Sequence, residues 1–168
     1  MSANQHSNQQ LTFLQEKIHQ FGSAIFYNQS DAILKLPTSI VSTLKVDEFG
    51  YIWFFIQKPK QDIKHFEADF PVRMDFFKKG VDFFLQVSGK GWMITDPEEM
   101  YAFLEENDDI HPNIFQDMVL VKVKMQKADC YETAPRKKVN VLKQALNTVT
   151  TFFRSTNQVG HNTFFPAS

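Results

Sequence analysis

The sequence predicts a mainly β, α+β domain: a small antiparallel barrel of about six strands with helices as caps. Three observations carry this. Segments rich in β-branched and aromatic residues follow one another across short turn signals. Phe occurs 18 times against 2 Trp and 4 Tyr, so rings without a polar handle fill the interior. Helical periodicity is confined to the beginning, the middle and the end of the chain.

Composition narrows the class. A length of 168 residues suits one domain, and 43% hydrophobic with 22% charged residues is the balance of a globular protein rather than a disordered one. A formal net charge of -1 supplies no field for nucleic acid or an anionic membrane, so neither is expected as a partner. The single cysteine, Cys130, excludes an internal disulfide and a thiolate metal site. It fits a reducing compartment, so the cytoplasm is the expected location. Residues 1–10 are polar, lack the apolar core of a signal peptide and are expected to be flexible. No stretch reaches the roughly 18 apolar residues of a membrane-spanning helix.

Taken in order, Leu11, Leu14, Ile18 and Phe21 recur at helical spacing and predict an amphipathic helix ended by Gly22. Ala24–Tyr27 reads as a strand closed by the polar turn Asn28–Asp31, and Ile33–Leu44 as the returning strand, with Pro37 at an edge or bulge. Val46–Tyr51 places a turn in which Gly50 takes positive φ, and Tyr51–Ile56, apolar on both faces, follows as a central strand. Ile63, Phe66 and Phe70 suggest a short helix before Pro71. Val72–Phe77 and Val81–Val87 flank Lys78-Lys79-Gly80 as a hairpin, and Gly89 and Gly91 mark a barrel corner. Asp96-Pro97-Glu98-Glu99 opens a helix, with Asp96 as cap, Pro97 in the first turn and Glu99 reaching back as a capping box. Val119, Val121, Val123 and Met125 alternate with Leu120, Lys122 and Lys124 as the last strand. The domain thus spans 11–132; residues 133–168 are expected to be a basic linker around Pro135–Lys138, a helix over Val139–Phe153 and a mobile tail.

Most chemistries find no footing in these residues. The five His are scattered without metal-ligand spacing, Cys130 has no neighbouring base, and Gly89 and Gly91 lack the spacing of a phosphate loop. Glu98-Glu99 and Glu105–Asp109 read as a charged helix start and a solvated acidic turn. One constellation remains. Trp53-Phe54-Phe55-Ile56-Gln57 runs into Lys58-Pro59-Lys60, setting flat apolar groups beside two cations. An aromatic heterocycle with a phosphate tail needs that pairing, and a core strand followed by a solvated loop shows it too.

The order of these pieces resembles the pyridoxamine 5'-phosphate oxidase-like FMN-binding split barrels, in particular their general stress protein branch. The residues that carry the likeness are Glu48–Phe55, Val87-Ser88-Gly89, Asp96 and Ala128–Glu132, and it covers about residues 20 to 132. The resemblance implies an antiparallel six-stranded split β-barrel, a homodimer, and FMN in a cleft between the two copies. Carried onto this sequence it gives Lys35, Pro37, Thr38, Ser39, Phe54, Phe55, Ile56, Lys58, Lys60 and Trp92 as cofactor-binding candidates, with no catalytic residue assigned. The phosphate positions depart from the family pattern. Leu36-Pro37-Thr38 stands where relatives carry Arg-Pro-Met, Ile56 where they often place Thr, and Lys60-Gln61-Asp62 where they place Ser-x-Lys. An arginine that grips phosphate in a bidentate way is therefore missing, with Lys35, Lys58 and Lys60 as compensating cations.

Two functions follow. The first is an FMN-dependent oxidoreductase of unassigned substrate, the redox chemistry being the cofactor's; true pyridoxamine phosphate oxidation is not expected, because the Arg and His residues for its substrate phosphate have no counterparts. The second is a non-catalytic dimeric module that has lost FMN and uses the same cleft for another apolar ligand or a partner protein.

Overall fold

A computed structural model describes residues 2–132 and 161–164. Six strands close an antiparallel barrel in the order β3-β2-β1-β4-β5-β6, with β6 returning to β3. They are β1 (Ser23–Asn28), β2 (Ser39–Val46), β3 (Tyr51–Gln57), β4 (Asp69–Phe76), β5 (Phe83–Met93) and β6 (Met118–Glu132). A short seventh strand, β7 (His161–Phe164), pairs with the far half of β6. The helices are α1 (Ser2–Phe21), α2 (Pro97–Glu105) and α3 (Ile114–Asp117), with one turn of 3-10 helix at Ile63–His65.

The strand alternation explains the interior. Phe26, Ile52, Phe54, Val72, Met74, Leu85, Val87, Val121 and Val123 point inward and are buried together, which is the period-2 pattern that half-buried strands require. Burying one Phe side chain is worth about 1.5–3 kcal/mol, and Phe26 makes ring contacts with Phe54 at 5.4 Å and Phe70 at 6.4 Å. Helix α1 plugs one end: Leu14, Ile18 and Phe21 are buried in the core, with Phe21 edge-on to Phe83 at 5.0 Å. Gln15 Nε2 donates to the Val46 and Asp47 carbonyls and ties the helix to the β2–β3 turn.

Several expectations are met at this plugged end. Gly22, Gly50 and Gly80 all have positive φ, at +74°, +78° and +86°, which stops α1 and closes the β2–β3 turn and the β4–β5 hairpin. Around the wall, Gly89 is required by close approach, because a Cβ there would lie 2.0 Å from the Lys124 carbonyl oxygen. The β5–β6 register shifts at that point, leaving Gln126 as a bulge where a barrel corner is predicted.

Four details differ from the sequence reading. Helix α1 begins at Ser2 rather than Leu11, since the polar segment before Leu11 has no apolar stripe to announce a helix. The returning strand starts at Ser39, not Ile33, because local side-chain bonds hold the preceding stretch as a loop. Asn28 Oδ1 accepts from Ser30 N, and Ser30 Oγ accepts from Ala32 N. The short helix before Pro71 is only the 3-10 turn, and Phe70 already belongs to β4, buried in the core. Asp96 caps α2 through Glu98 N as expected, whereas Glu99 pairs with Lys122 instead of closing a capping box. The linker over Pro135–Lys138 and the helix over Val139–Phe153 lie outside the described residues, and the tail, expected to be mobile, includes β7.

Candidate functional site

Antiparallel pairing places the start of β2, the end of β3, the end of β1 and the start of β4 at the end of the barrel opposite the α1 plug. The barrel is open along one seam there. The β2–β3 ladder ends at Thr43↔Phe54. Beyond it Ser39–Ser42 pair with β1 and Phe55–Gln57 with β6, and the two segments do not pair with each other. A bulge at Leu44, between Thr43 and Lys45, lets β2 depart from β3.

The loops around this seam collect the predicted polar residues. Lys35, Pro37 and Thr38 lie in the β1–β2 loop and are exposed, and half-buried Ser39 opens β2. Lys58 and Lys60 are exposed in the loop after β3, which is pinned where Lys58 N donates to the Asp117 carbonyl at 2.8 Å. Lys35 Nζ donates to the Ser30 carbonyl at 3.0 Å, and buried Ser30 bonds Glu67 across the loops. Three cations therefore share one end of the barrel. Leu36 is only 2% exposed and belongs to the core.

The apolar candidates divide differently. Phe54 and Ile56 point into the barrel interior, and Phe55 points outward into a second apolar cluster with Ile94, Phe103 and Leu120 under α2. Trp92 lies on the outer face, across β6 from β3, against Tyr51 at 6.1 Å. Strand order thus puts the loops of Lys35, Pro37, Thr38, Ser39, Lys58 and Lys60 at one end of the barrel, buries Phe54 and Ile56 in the core, and leaves Trp92 on another part of the wall. Aromatic alternation already separates the two faces of β3, but which face a neighbouring helix covers is set by tertiary packing.

The outer face also carries polar groups that sequence reasoning passed over. On β4 and β5, Arg73 pairs with buried Asp75 at 3.2 Å and stacks over Tyr27 at 4.2 Å, while Gln86 Nε2 donates to Asp75 Oδ1 at 3.1 Å. On β2 and β6, Lys45 pairs with Glu106, just past α2, and Lys122 with Glu99 of α2. Their residue types read as an ordinary solvated strand face, and only the fold shows that they interlock. Among the described residues no group of acidic, His or Cys side chains could hold a metal ion, and no helix is long and apolar enough to cross a membrane.

No family model matches the sequence, and no curated protein matches it. Solved structures do. A structure assigned to general stress protein 26 from Jannaschia sp. CCS1 is 16% identical, with 98% of this chain and 99% of that one covered at a TM-score of 0.53. The general stress FMN/FAD binding protein of Xanthomonas citri is 19% identical over 77% of this chain and 96% of its own, again with a TM-score of 0.53. A general stress family structure from Xanthomonas campestris pv. campestris is 16% identical over 84% and 96%, also at 0.53. At these identities the likeness is one of fold, and the chain has the split-barrel fold of the general stress protein structures that its motifs resemble.

Proposed function

We propose that this chain binds FMN at the open end of the barrel, between two copies, and serves as a flavin-dependent oxidoreductase. The observation that carries the reading is the unzipped β2–β3 seam with Lys35, Lys58 and Lys60 around it. The unpaired strand edges would seat a flat group between the two copies, and cations beside them suit a phosphate. The neighbour from Xanthomonas citri, described as an FMN/FAD binding protein, supports the same assignment. Lys58 and Lys60 would hold the phosphate, with Thr38 and Ser39 as hydroxyl donors. The bound flavin would supply the redox chemistry, and the protein's part is to orient it and exclude water.

The second reading, a split barrel that has lost FMN and binds another ligand or partner protein, draws on one specific observation. Leu36 is committed to the core, and Ile56, at a position where relatives often have Thr, is buried as well. Apolar side chains therefore stand at two positions where the resemblance leads one to expect phosphate-binding groups. Each charge-assisted bond contributes roughly 1.5–3 kcal/mol, so the balance rests on the lysines.

Titration of the purified protein with FMN, followed by flavin fluorescence, separates the readings. Saturable binding at one FMN per subunit supports the first, and the double substitution Lys58→Ala/Lys60→Ala then weakens affinity by about 2 kcal/mol, or about 30-fold. Protein that takes up no FMN at any excess overturns the first.

A further inference from the structure

A second concave site lies on the outer face, toward the plugged end of β3 and away from Lys58. Helix α2 and the β2–β3 turn enclose a groove of about 390 Å³. Its wall is aromatic: Trp53 and Phe103 stack at 5.4 Å with their planes 25° apart, and Phe49, 66% exposed, stands at the rim. Four carboxylates line it, those of Asp47, Glu48, Glu99 and Glu106, against a single lysine, Lys45.

The chain itself shows what this wall holds. Lys45 Nζ sits 5.5 Å from the Trp53 ring centre, 5.1 Å from that of Phe103 and 2.5 Å from Glu106 Oε2. Lys122 approaches Trp53 at 5.6 Å and neutralises Glu99. That leaves Glu48 in excess, since Asp47 Oδ1 accepts from Phe49 N and Tyr51 N within its own turn. Asp47 Oδ2 accepts from Trp53 Nε1 at 2.9 Å, which fixes the indole and enriches its π-face. Stapling α2 to the sheet explains the Lys45–Glu106 and Lys122–Glu99 pairs. It requires neither the open volume nor the exposed ring at its rim.

We propose that this groove binds a small organic cation of the methylated-ammonium class, which takes the place of Lys45 Nζ beside the stacked Trp53 and Phe103 rings and against Glu106. Aromatic walls with a carboxylate favour such cations because these shed water more readily than a primary ammonium. The four carboxylates are not gathered closely enough to hold a metal ion. Lys45 is then the resident competitor, and its long stem lets it swing out. This inference is independent of the flavin reading, since no residue of the seam takes part.

The test is a titration of the full chain with choline, followed by the Trp53 indole N–H in proton–nitrogen correlation spectra. An uncharged isostere, 3,3-dimethyl-1-butanol, serves as control. Choline is expected to shift that resonance saturably and the isostere to leave it in place. Lys45→Ala, and Lys45→Gln as the milder change, should tighten binding about tenfold, and Glu48→Gln should weaken it severalfold. The same spectra report whether each variant is folded. The proposal is overturned if choline moves the Trp53 resonance in neither the wild type nor the Lys45 variants, if the isostere binds equally well, or if removing Lys45 leaves the affinity unchanged.

Discussion

The two ends of this barrel are built on opposite principles. At the plugged end, Leu14, Ile18 and Phe21 of α1 enter the core, Gly50 and Gly80 close two tight turns, and the β2–β3 ladder is intact. At the open end the same two strands part after Thr43 and Phe54, the loops are long, and Ile33 and Ile40 are 105% and 80% exposed. Apolar burial supplies most of the stability of a domain, so the α1 end anchors the fold while the other presents unpaired strand edges beside Lys35, Lys58 and Lys60. Sites on loops carried by a rigid scaffold have this division.

The largest expected effect tests that division directly. Leu14→Ala, in the α1 stripe that plugs the barrel, should cost about 2–5 kcal/mol in chemical denaturation through lost burial and a residual cavity. Ile40→Ala, on the exposed strand beside the seam, should change stability by no more than about 0.5 kcal/mol in dilute protein. A concentration-dependent loss at Ile40 would instead show that a second copy covers this edge, which sharpens the proposed assembly. Equal costs at both positions would dissolve the distinction between the ends.

The same division decides what could be read from the sequence. The plugged end was legible because each of its devices has a local signature: a stripe at Leu11, Leu14, Ile18 and Phe21, glycines that need positive φ, and a hairpin around Lys78-Lys79-Gly80. The open end was not. Ile33–Leu36 has strand-like composition, yet Ser30 and Asn28 capture the backbone in turns and Leu36 drops into the core. The seam has no residue signature, because it consists of hydrogen bonds that two well-formed strands do not make. Of the candidate site, the clustering of Lys35, Lys58 and Lys60 at one end follows from strand order. The inward direction of Phe54 and Ile56 follows from alternation. The covering of Phe55 by α2 depends on contacts between Phe103 and residues far away in sequence.

A smaller and pH-dependent effect probes the plugged side from within. Burial pushes the Cys130 thiol up to about 11; nearby Lys17 pulls against this, and Asp129 and Glu132 add to it. The unfolded thiol ionises first as pH rises. Below its ordinary range both states keep the proton and stability is unaffected. From there up to about 11 the unfolded state alone loses it, and stability falls by up to about 1.4 kcal/mol per pH unit. Urea unfolding of wild type and Cys130→Ala at rising pH isolates this slope, since every other group cancels in the difference. Parallel curves would mean that water reaches Cys130 and that this side is looser than its packing indicates.

The smallest effect separates backbone strain from packing at the two turns. A Cβ on Gly50 would meet Leu11 Cδ1 at 3.6 Å and Met125 Cε at 3.7 Å, both ordinary contacts, and one on Gly80 would meet nothing within 4 Å. Space is therefore available at both, and the cost of alanine is the left-handed conformation alone, about 1–2 kcal/mol. The lower entropy of the unfolded chain returns roughly 0.4–1 kcal/mol, so a net loss of about 1 kcal/mol is expected for Gly50→Ala and for Gly80→Ala. Asparagine, which tolerates positive φ, should cost less at both. If Gly50→Ala proves several-fold more costly than Gly80→Ala, the contact of its turn with Leu11 and Met125 is a packing joint, and α1 is fastened to the barrel there as well as through its buried stripe.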